Sequence, residues 1–444
     1  MEEDIIVAVA TSRLEAAISI IRLSGKGVIE LVEKIFSRKL TNKKSHTINY
    51  GFIIDENQKI DEVLVNIYKG SRTFTAEDMV EINCHGGVYI TNKILEICLR
   101  NGARLAHPGE FSKRAFINGR IDLSQAEAIS DMVSAKSQLA SQLALKGIEG
   151  NVSKQIKNLK EKLIQIITHI EVNIDYPEYD DIEELTSETI LPQSLKLLEE
   201  IERILINAKN GQLIKEGIKT VIIGKPNVGK SSLLNALLEE DKAIVTNIAG
   251  TTRDLIEGYV QVAGITLNLI DTAGIRITND IVEKIGVERS FKVIQEADLV
   301  LLVIDGSKPL TKEDYELLEK TKNNKRIIII NKSDLGNVVD IQGITISAKE
   351  NEIILLKDKI NEMFNLGDLK IDEEIYISNI RHIGLIEKSK QSLNKAIEAM
   401  KLFLPTDLIV IDLYDSWTNL KEILGEQAKD DFLDELFNRF CIGK

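Results

Sequence analysis

The sequence predicts a multidomain protein, part α/β and part all-α. An N-terminal α+β domain comes first. A helical domain in two segments follows, with an α/β phosphate-loop domain (a parallel sheet with helices on both faces) inserted between them. Three observations carry this reading. Residues 1–118 hold short β-like runs separated by Gly, Asn and Ser. No proline occurs between Pro108 and Pro177, and that window carries an apolar helical repeat. From about residue 217, buried-type apolar runs alternate with helical stretches, the pattern of a parallel sheet covered on both faces.

In the first domain the strand-like runs are Ile5–Val9, Ile18–Leu23, Val63–Tyr68 and Met79–Ile82. Residues 119–213 and 374–444 form the helical domain. Within it Ile156, Leu159, Leu163, Ile166, Ile167 and Ile170 recur at three and four residues and make one face of a helix. Asp175-Tyr176-Pro177-Glu178 breaks that run. Ile386, Leu393, Ile397 and Met400 share a face in the second segment. Residues 214–373 are the insert, with strand-like runs Lys219–Ile223, Thr266–Ile270, Leu299–Ile304 and Arg326–Ile330.

Composition narrows the class. With 43% hydrophobic and 28% charged residues among 444, the chain is neither disordered nor collagen-like, and its length suits two or three domains. It has no 18-residue apolar run, so no membrane helix is expected. The acidic start Met1-Glu2-Glu3-Asp4 does not resemble a secretory signal and predicts a cytoplasmic protein. Cys84, Cys98 and Cys441 are too few and too scattered for a disulfide framework or a zinc knuckle. Net charge is −13, while residues 1–120 carry 17 Lys+Arg against 15 Asp+Glu. An acidic body argues against sequence-independent coating of nucleic acid and leaves room for a local RNA patch.

The chemistry concentrates in the insert. Gly224-Lys225-Pro226-Asn227-Val228-Gly229-Lys230-Ser231 fits G-x-x-x-x-G-K-[ST] between a strand-like run and a helix-like one. Its backbone N–H groups and helix N-terminus suit phosphate. Lys230 is expected to reach the β- and γ-phosphates and Ser231 to hold Mg²⁺. Asp271-Thr272-Ala273-Gly274 ends the next strand and can meet Mg²⁺ and the γ-phosphate. Asn331-Lys332-Ser333-Asp334 follows another strand; Asp334 can accept two hydrogen bonds from guanine that adenine does not offer. Ser347-Ala348-Lys349 supports the base. Each motif is weak alone, but four in order at strand ends specify a GTP-hydrolysing domain. Its expected nucleotide contacts are Asn227, Val228, Gly229, Lys230, Ser231 and Ser232. They continue with Thr246, Asn247, Ile248, Ala249, Gly250, Thr251 and Thr252, then Asp271, Thr272, Ala273 and Gly274. Asn331, Lys332, Asp334, Ser347, Ala348 and Lys349 complete the set.

Two details are less ordinary. Ile275 stands where many GTPases place a water-orienting glutamine, so either hydrolysis is slow and needs a partner or another residue serves, with Asp280, Glu283 and Glu288 as candidates. Asn227, inside the phosphate loop, offers an amide oxygen. With carbonyls from the Thr246–Thr252 loop it could hold a monovalent cation that neutralises developing charge.

At this point the chain resembles the MnmE (TrmE) tRNA-modification GTPases. The resemblance rests on the phosphate loop, Gly250-Thr251-Thr252-Arg253-Asp254 and Asp271-Thr272-Ala273-Gly274-Ile275-Arg276. It also rests on Thr75-Ala76-Glu77-Asp78, Glu81–Gly87, Pro108-Gly109-Glu110-Phe111, Asp122–Ala128 and the terminal Cys441-Ile442-Gly443-Lys444. It implies a tetrahydrofolate-binding, dimerising N-terminal domain and a homodimer. It further implies a FAD-containing MnmG-type partner in a heterotetramer, and work on the wobble uridine of certain tRNAs. The product implied is of the 5-aminomethyl or 5-carboxymethylaminomethyl type. The one-carbon donor implied is a tetrahydrofolate derivative (5-formyl or 5,10-methylene). K⁺-driven pairing of GTPase domains is implied too. By position, Asn227, Thr246, Ile248 and Thr251 match K⁺ ligands, Ser231 and Thr252 Mg²⁺ ligands, and Glu283 the water-orienting residue. Arg22, Glu81, Arg120 and Lys444 match folate contacts. The chain departs from the family at Leu14–Ser19, Arg72–Ala76, Arg120 and Ile277.

Cys441 could be a packed or frayed tail thiol, but the resemblance favours a thiol delivered to the modification chemistry. The acidic approach, Asp430, Asp431, Asp434 and Glu435, does not suit a prenylation box. Cys84 and His85 are adjacent on a strand and point to opposite faces, so they cannot act as a pair; His85 is expected in a structural or folate-pocket role. Cys98 reads as core. Arg38, Lys39, Lys43 and Lys44 form a short basic stretch, a solvated loop or a tRNA phosphate contact. Two other readings share the GTPase motifs: a ribosome-assembly GTPase and a regulatory switch without modification activity.

Overall fold

The computed structural model describes residues 4–175, 189–240, 258–262, 264–270, 294–364 and 376–443. It divides into two compact units. One comprises Met1–Val133, Gly147–Leu197 and Gln391–Lys444; the other comprises Ser134–Lys146 and Leu198–Lys390.

The first unit is built on a six-stranded sheet. Its strands are β1 (Ile5–Val9), β2 (Ile18–Ser24), β3 (Thr47–Asp55), β4 (Gln58–Tyr68), β5 (Met79–His85) and β6 (Ala103–Leu105). Their order is β3-β4-β5-β2-β1-β6, antiparallel except where β6 runs parallel to β1. Strand periodicity explains its two faces. Val7 and Val9 of β1 join the core under α1 (Val28–Ile35) and α2 (Val88–Arg100), with Ile21, Leu23, Ile82 and Cys98. Ile6 and Ala8, one residue out of phase, pack on the opposite face with Met79, Ala106 and Phe111. β3 and β4 form a hairpin closed by Glu56 and Asn57, both at positive φ (47° and 66°), the geometry a two-residue turn requires to follow strand twist.

The helices that follow are α3 (Glu110–Ile117), α4 (Leu123–Ser134) and α6 (Asn151–Asp175), which belong to this unit but for the last residue of α4, and α5 (Gln138–Ile148) and α7 (Leu191–Glu216), which fall mostly within the second. In α6 the expected stripe from Ile156 to Ile170 is buried throughout. That face packs on a later helix whose Tyr414 hydroxyl donates to Glu171 at 2.7 Å. Pro177 lies outside the described residues.

The second unit holds β7 (Ile218–Ile223), α8 (Lys230–Glu240), β8 (Gly258–Val262), β9 (Ile265–Ile270) and β10 (Leu299–Asp305). It continues with α9 (Lys312–Lys320), β11 (Arg326–Asn331), β12 (Ile344–Thr345) and α10 (Ile354–Met363). The sheet order is β12-β11-β10-β7-β9-β8, parallel except for β8 against β9. All seven residues of β10 are buried, as a central strand covered on both faces demands. The remaining helices are α11 (Ile380–Lys401), α12 (Thr406–Leu424) and α13 (Asp430–Phe437). Leu433 and Phe437 of α13 pack on Leu123 and Ala126 of α4 within the first unit. No helix of the described residues is long and apolar enough to cross a membrane.

Candidate functional site

The phosphate-loop motif occupies the turn from β7 into α8, at the carboxyl edge of the parallel sheet. Its shape needs its glycines. At Gly224 (φ 152°) a Cβ would come within 2.3 Å of the Val303 carbonyl oxygen. At Gly229 (φ 101°) it would come within 2.1 Å of Asn331 Nδ2. Asn227 also takes a left-handed conformation, at φ 63°. The loop is thus pressed on the ends of β10 and β11.

Asn331 makes that contact specific. It is 3% exposed. Its Nδ2 donates to the Val228 carbonyl at 2.9 Å, and its Oδ1 accepts from the Ala348 N–H at 3.0 Å. One amide therefore ties the phosphate loop to the Ser347–Lys349 segment. Lys332, at φ 69°, pairs its Nζ with Asp305 Oδ2 at 2.6 Å. Burial pushes the Asp305 carboxyl up, but hydrogen bonds from Lys332 and Ser307 outweigh it and hold the group below the usual aspartate range. Asp334 Oδ1 accepts from Ser347 Oγ at 3.0 Å. A carboxylate has further lone pairs, so Asp334 keeps capacity for a base edge. Ser231, Ser232 and Lys349 stand exposed, open to a ligand or ion.

Lys230 opens α8. Its Nζ donates to the carbonyls of Gly224 at 2.8 Å and Lys225 at 2.6 Å. An ammonium has three protons, so one remains for a phosphate oxygen. Burial pulls the Lys230 pKa down, the signature of a cation short of hydration; an anion beside it would relieve that cost. Thr246, Asn247, Ile248, Ala249, Gly250, Thr251, Thr252, Asp271, Thr272, Ala273, Gly274, Glu283 and Lys444 lie outside the described residues.

A second candidate site lies in the first unit. Arg22 on β2 and Glu81 on β5 are register partners, and both Nε and Nη2 of Arg22 lie 2.9 Å from Glu81 Oε1. Tyr68 Oη donates to Glu81 Oε2 at 3.3 Å. Glu81 lines a cavity of about 420 Å³ with His46, Tyr68, Arg72, Thr73, Phe74, Met79 and Arg120. The Arg22 and Arg120 guanidinium carbons lie 5.6 and 5.3 Å from the Phe74 ring centre. Arg120 is held there by donating to the Phe74 carbonyl at 2.9 Å. Arg22 and Arg120 are therefore gathered over one aromatic ring, and Glu81, paired with Arg22, lines the same cavity, although the three are far apart in sequence.

Other expectations fall differently. Cys84 is buried and its Sγ contacts the Ser19 carbonyl at 3.4 Å, while His85 is exposed and pairs with Asp61 at 2.6 Å. The two do face apart, and His85 is not among the residues lining the cavity. Cys98 is wholly buried. Cys441 is exposed, and its carbonyl accepts from the Gly109 N–H at 3.3 Å. Sequence reasoning passed over His46, Tyr68 and Met79 at the cavity and Lys225 and Asp305 at the phosphate loop. Lys225 fills an unconstrained position of the motif, and nothing local marks the others. Among the described residues no cluster of three or more His, Cys, Asp or Glu is placed to hold a metal ion.

The profile described as "GTP-binding protein TrmE N-terminus" matches residues 5–120, and that described as "MnmE helical domain" matches residues 123–441. The curated tRNA modification GTPase MnmE of Lactococcus lactis subsp. lactis is 49% identical over 450 residues, covering 100% of this chain and 99% of its own. Its counterpart in Staphylococcus aureus (strain bovine RF122 / ET3-1) is 48% identical over 459 residues, with both chains covered completely. Among solved structures, the G domain of the T. maritima FeoB iron transporter aligns with 33% of this chain and 98% of its own, at 33% identity and a TM-score of 0.26.

Proposed function

Because this chain belongs to the MnmE (TrmE) family of tRNA modification GTPases, we propose that it couples GTP hydrolysis to modification of the tRNA wobble uridine. The observation that carries the hydrolytic part is the Asn331 staple, which holds the phosphate loop and the base-side loop in one frame. Guanine meets Asp334, the phosphates meet Lys230 and the α8 N-terminus, and binding at both ends fixes the γ-phosphate for attack by water.

The residues suit the ions that the resemblance implies. Ser231, exposed on the first turn of α8, offers the hydroxyl oxygen that a hard cation such as Mg²⁺ prefers, with Thr252 as its companion. Asn227 is exposed, in the loop's left-handed bend, where its amide can serve K⁺ with Thr246, Ile248 and Thr251. Such ions would supply positive charge against the charge that develops on the phosphoryl oxygens. Glu283, the position that the resemblance matches to the water-orienting residue, takes the task for which Ile275 has no polar atom. Glu283→Ala is expected to keep GTP binding and lose most turnover.

The second cavity suits a tetrahydrofolate. Its volume lies in the range of small-ligand pockets. Glu81 can accept from the N–H groups of a pterin-like ring, Phe74 offers a ring face, and Arg72 and Arg120 offer charge to an anionic tail. Lys444 and Cys441 follow on the tail, the thiol serving the one-carbon chemistry on the uridine C5. A homodimer and an FAD-containing MnmG-type partner complete the reading, with the work done in the cytoplasm. GTP turnover by the purified protein in KCl and in NaCl at equal ionic strength tests the cation site. Strong stimulation by K⁺ alone is expected; equal, slow turnover in both salts would remove that mechanism.

A further inference from the structure

The phosphate loop has a support that the nucleotide motifs do not contain. Lys225 is its second residue. Lys225 Nζ pairs with Asp314 Oδ2 at 2.6 Å and donates to Thr311 Oγ1 at 2.8 Å. Asp314 sits in the first turn of α9 and is 3% exposed. The same Oδ2 accepts from the Thr311 N–H at 2.8 Å, closing a capping box. Burial pushes the Asp314 carboxyl up; the bonds from Lys225 and Thr311 more than offset this and hold it ionised below the ordinary range. A buried carboxylate of this kind keeps its cation firmly, because removing the partner strands a charge away from water.

The main chain of Lys225 has a second task. Its carbonyl accepts from Lys230 Nζ at 2.6 Å, one of the two bonds that aim the ammonium. A chain of contacts thus runs from Asp314 through the Lys225 side chain and carbonyl to Lys230. We propose that Lys225 and Asp314 are positioning residues for GTP hydrolysis, fixing the carbonyl against which Lys230 is aimed at the phosphates. Capping of α9 alone would need neither a lysine in the phosphate loop nor its particular length. The proposal rests on the reading of Lys230 as the phosphate-reaching lysine, which Lys230→Ala tests separately in the same assay.

The test uses the full chain and measures steady-state GTP turnover, with thermal midpoints alongside. Lys225→Met is expected to raise the KM for GTP by about tenfold or more, as loss of a charge-assisted anchor implies, and to lower kcat as well. Lys225→Arg, which can still pair with the carboxylate, should recover most of that loss. Asp314→Asn keeps the side chain's shape but weakens the pair, and should resemble Lys225→Met. The double variant should be little worse than either single one, since both break the same chain. Wild-type KM and kcat in Lys225→Met would overturn the proposal. So would additive losses in the double variant, or a fall in thermal midpoint with KM unchanged. Should Lys225→Met fail to fold, Asp314→Asn against Lys225→Arg decides by the same criteria.

Discussion

Arg22 and Gly443 are 421 positions apart in sequence, yet Arg22 Nη1 donates to the Gly443 carbonyl at 3.0 Å. The same guanidinium holds Glu81 in the cavity wall. The C-terminal tail is therefore docked on the sheet of the first unit, on a residue expected from the family resemblance to contact folate. Gly443 has φ 92°, and a Cβ there would come within 2.8 Å of the Val9 carbonyl oxygen. Gly109 (φ 65°) also holds the tail, its N–H donating to the Cys441 carbonyl.

Gly443→Ala is expected to undock the tail, because it combines a left-handed φ with a backbone clash, a strain of about 1–3 kcal/mol. Hydrogen exchange in the peptide spanning 438–443 checks this. Faster exchange in the variant is expected there, with β1 and β2 unchanged; wild-type protection would show that the tail tolerates a side chain.

Gly229→Ala faces a harder obstacle. Its Cβ would collide with Asn331 Nδ2, and Asn331 cannot retreat without releasing Val228 and Ala348. GTP affinity is expected to fall by about tenfold or more, since loop and base-side segment lose their common tie. Equilibrium binding of a fluorescent GTP analogue measures it. Unchanged affinity would mean that the staple is dispensable.

The three thiols should separate cleanly. Burial raises Cys84 to about 11 and Cys98 to about 12, so at pH 7.5 both are protonated as well as covered. Cys441 is exposed. Maleimide labelling of the folded protein followed by peptide mass analysis should find one modified site, Cys441. Labelling of Cys84 at a comparable rate would contradict the burial of β5.

Acid should weaken the unit that carries the phosphate loop. Asp305 and Asp314 both have folded-state values depressed below their ordinary 3.8. A depressed carboxylate contributes its stability in full above the unfolded value and loses it as pH falls through the folded one. Thermal midpoints should therefore drop below about pH 4, and Asp314→Asn should flatten part of the drop. An identical acid profile in the variant would count against the ion pair.

Much of this was legible beforehand, and the reasons are physical. β10 reads as a strand because the six consecutive apolar residues Leu299–Ile304 suit a short strand covered on both faces, and the α6 stripe reads as a helix because its period is 3.6. The phosphate loop is legible because its glycines are local necessities. β3 was missed: Asn49 and Gly51 interrupt its apolar pattern, as an edge strand with half its face exposed allows. The Arg22–Gly443 bond, the Lys225–Asp314 pair and the residues around the 420 Å³ cavity depend on tertiary approach, which no spacing in the chain records.

The most direct measurement is the nucleoside composition of tRNA from cells lacking this chain, complemented with wild-type protein or with Lys230→Ala. The account predicts loss of 5-aminomethyl- and 5-carboxymethylaminomethyl-type uridines without the chain, recovery with the wild type, and no recovery with Lys230→Ala. Normal wobble uridines in cells without the chain would contradict it.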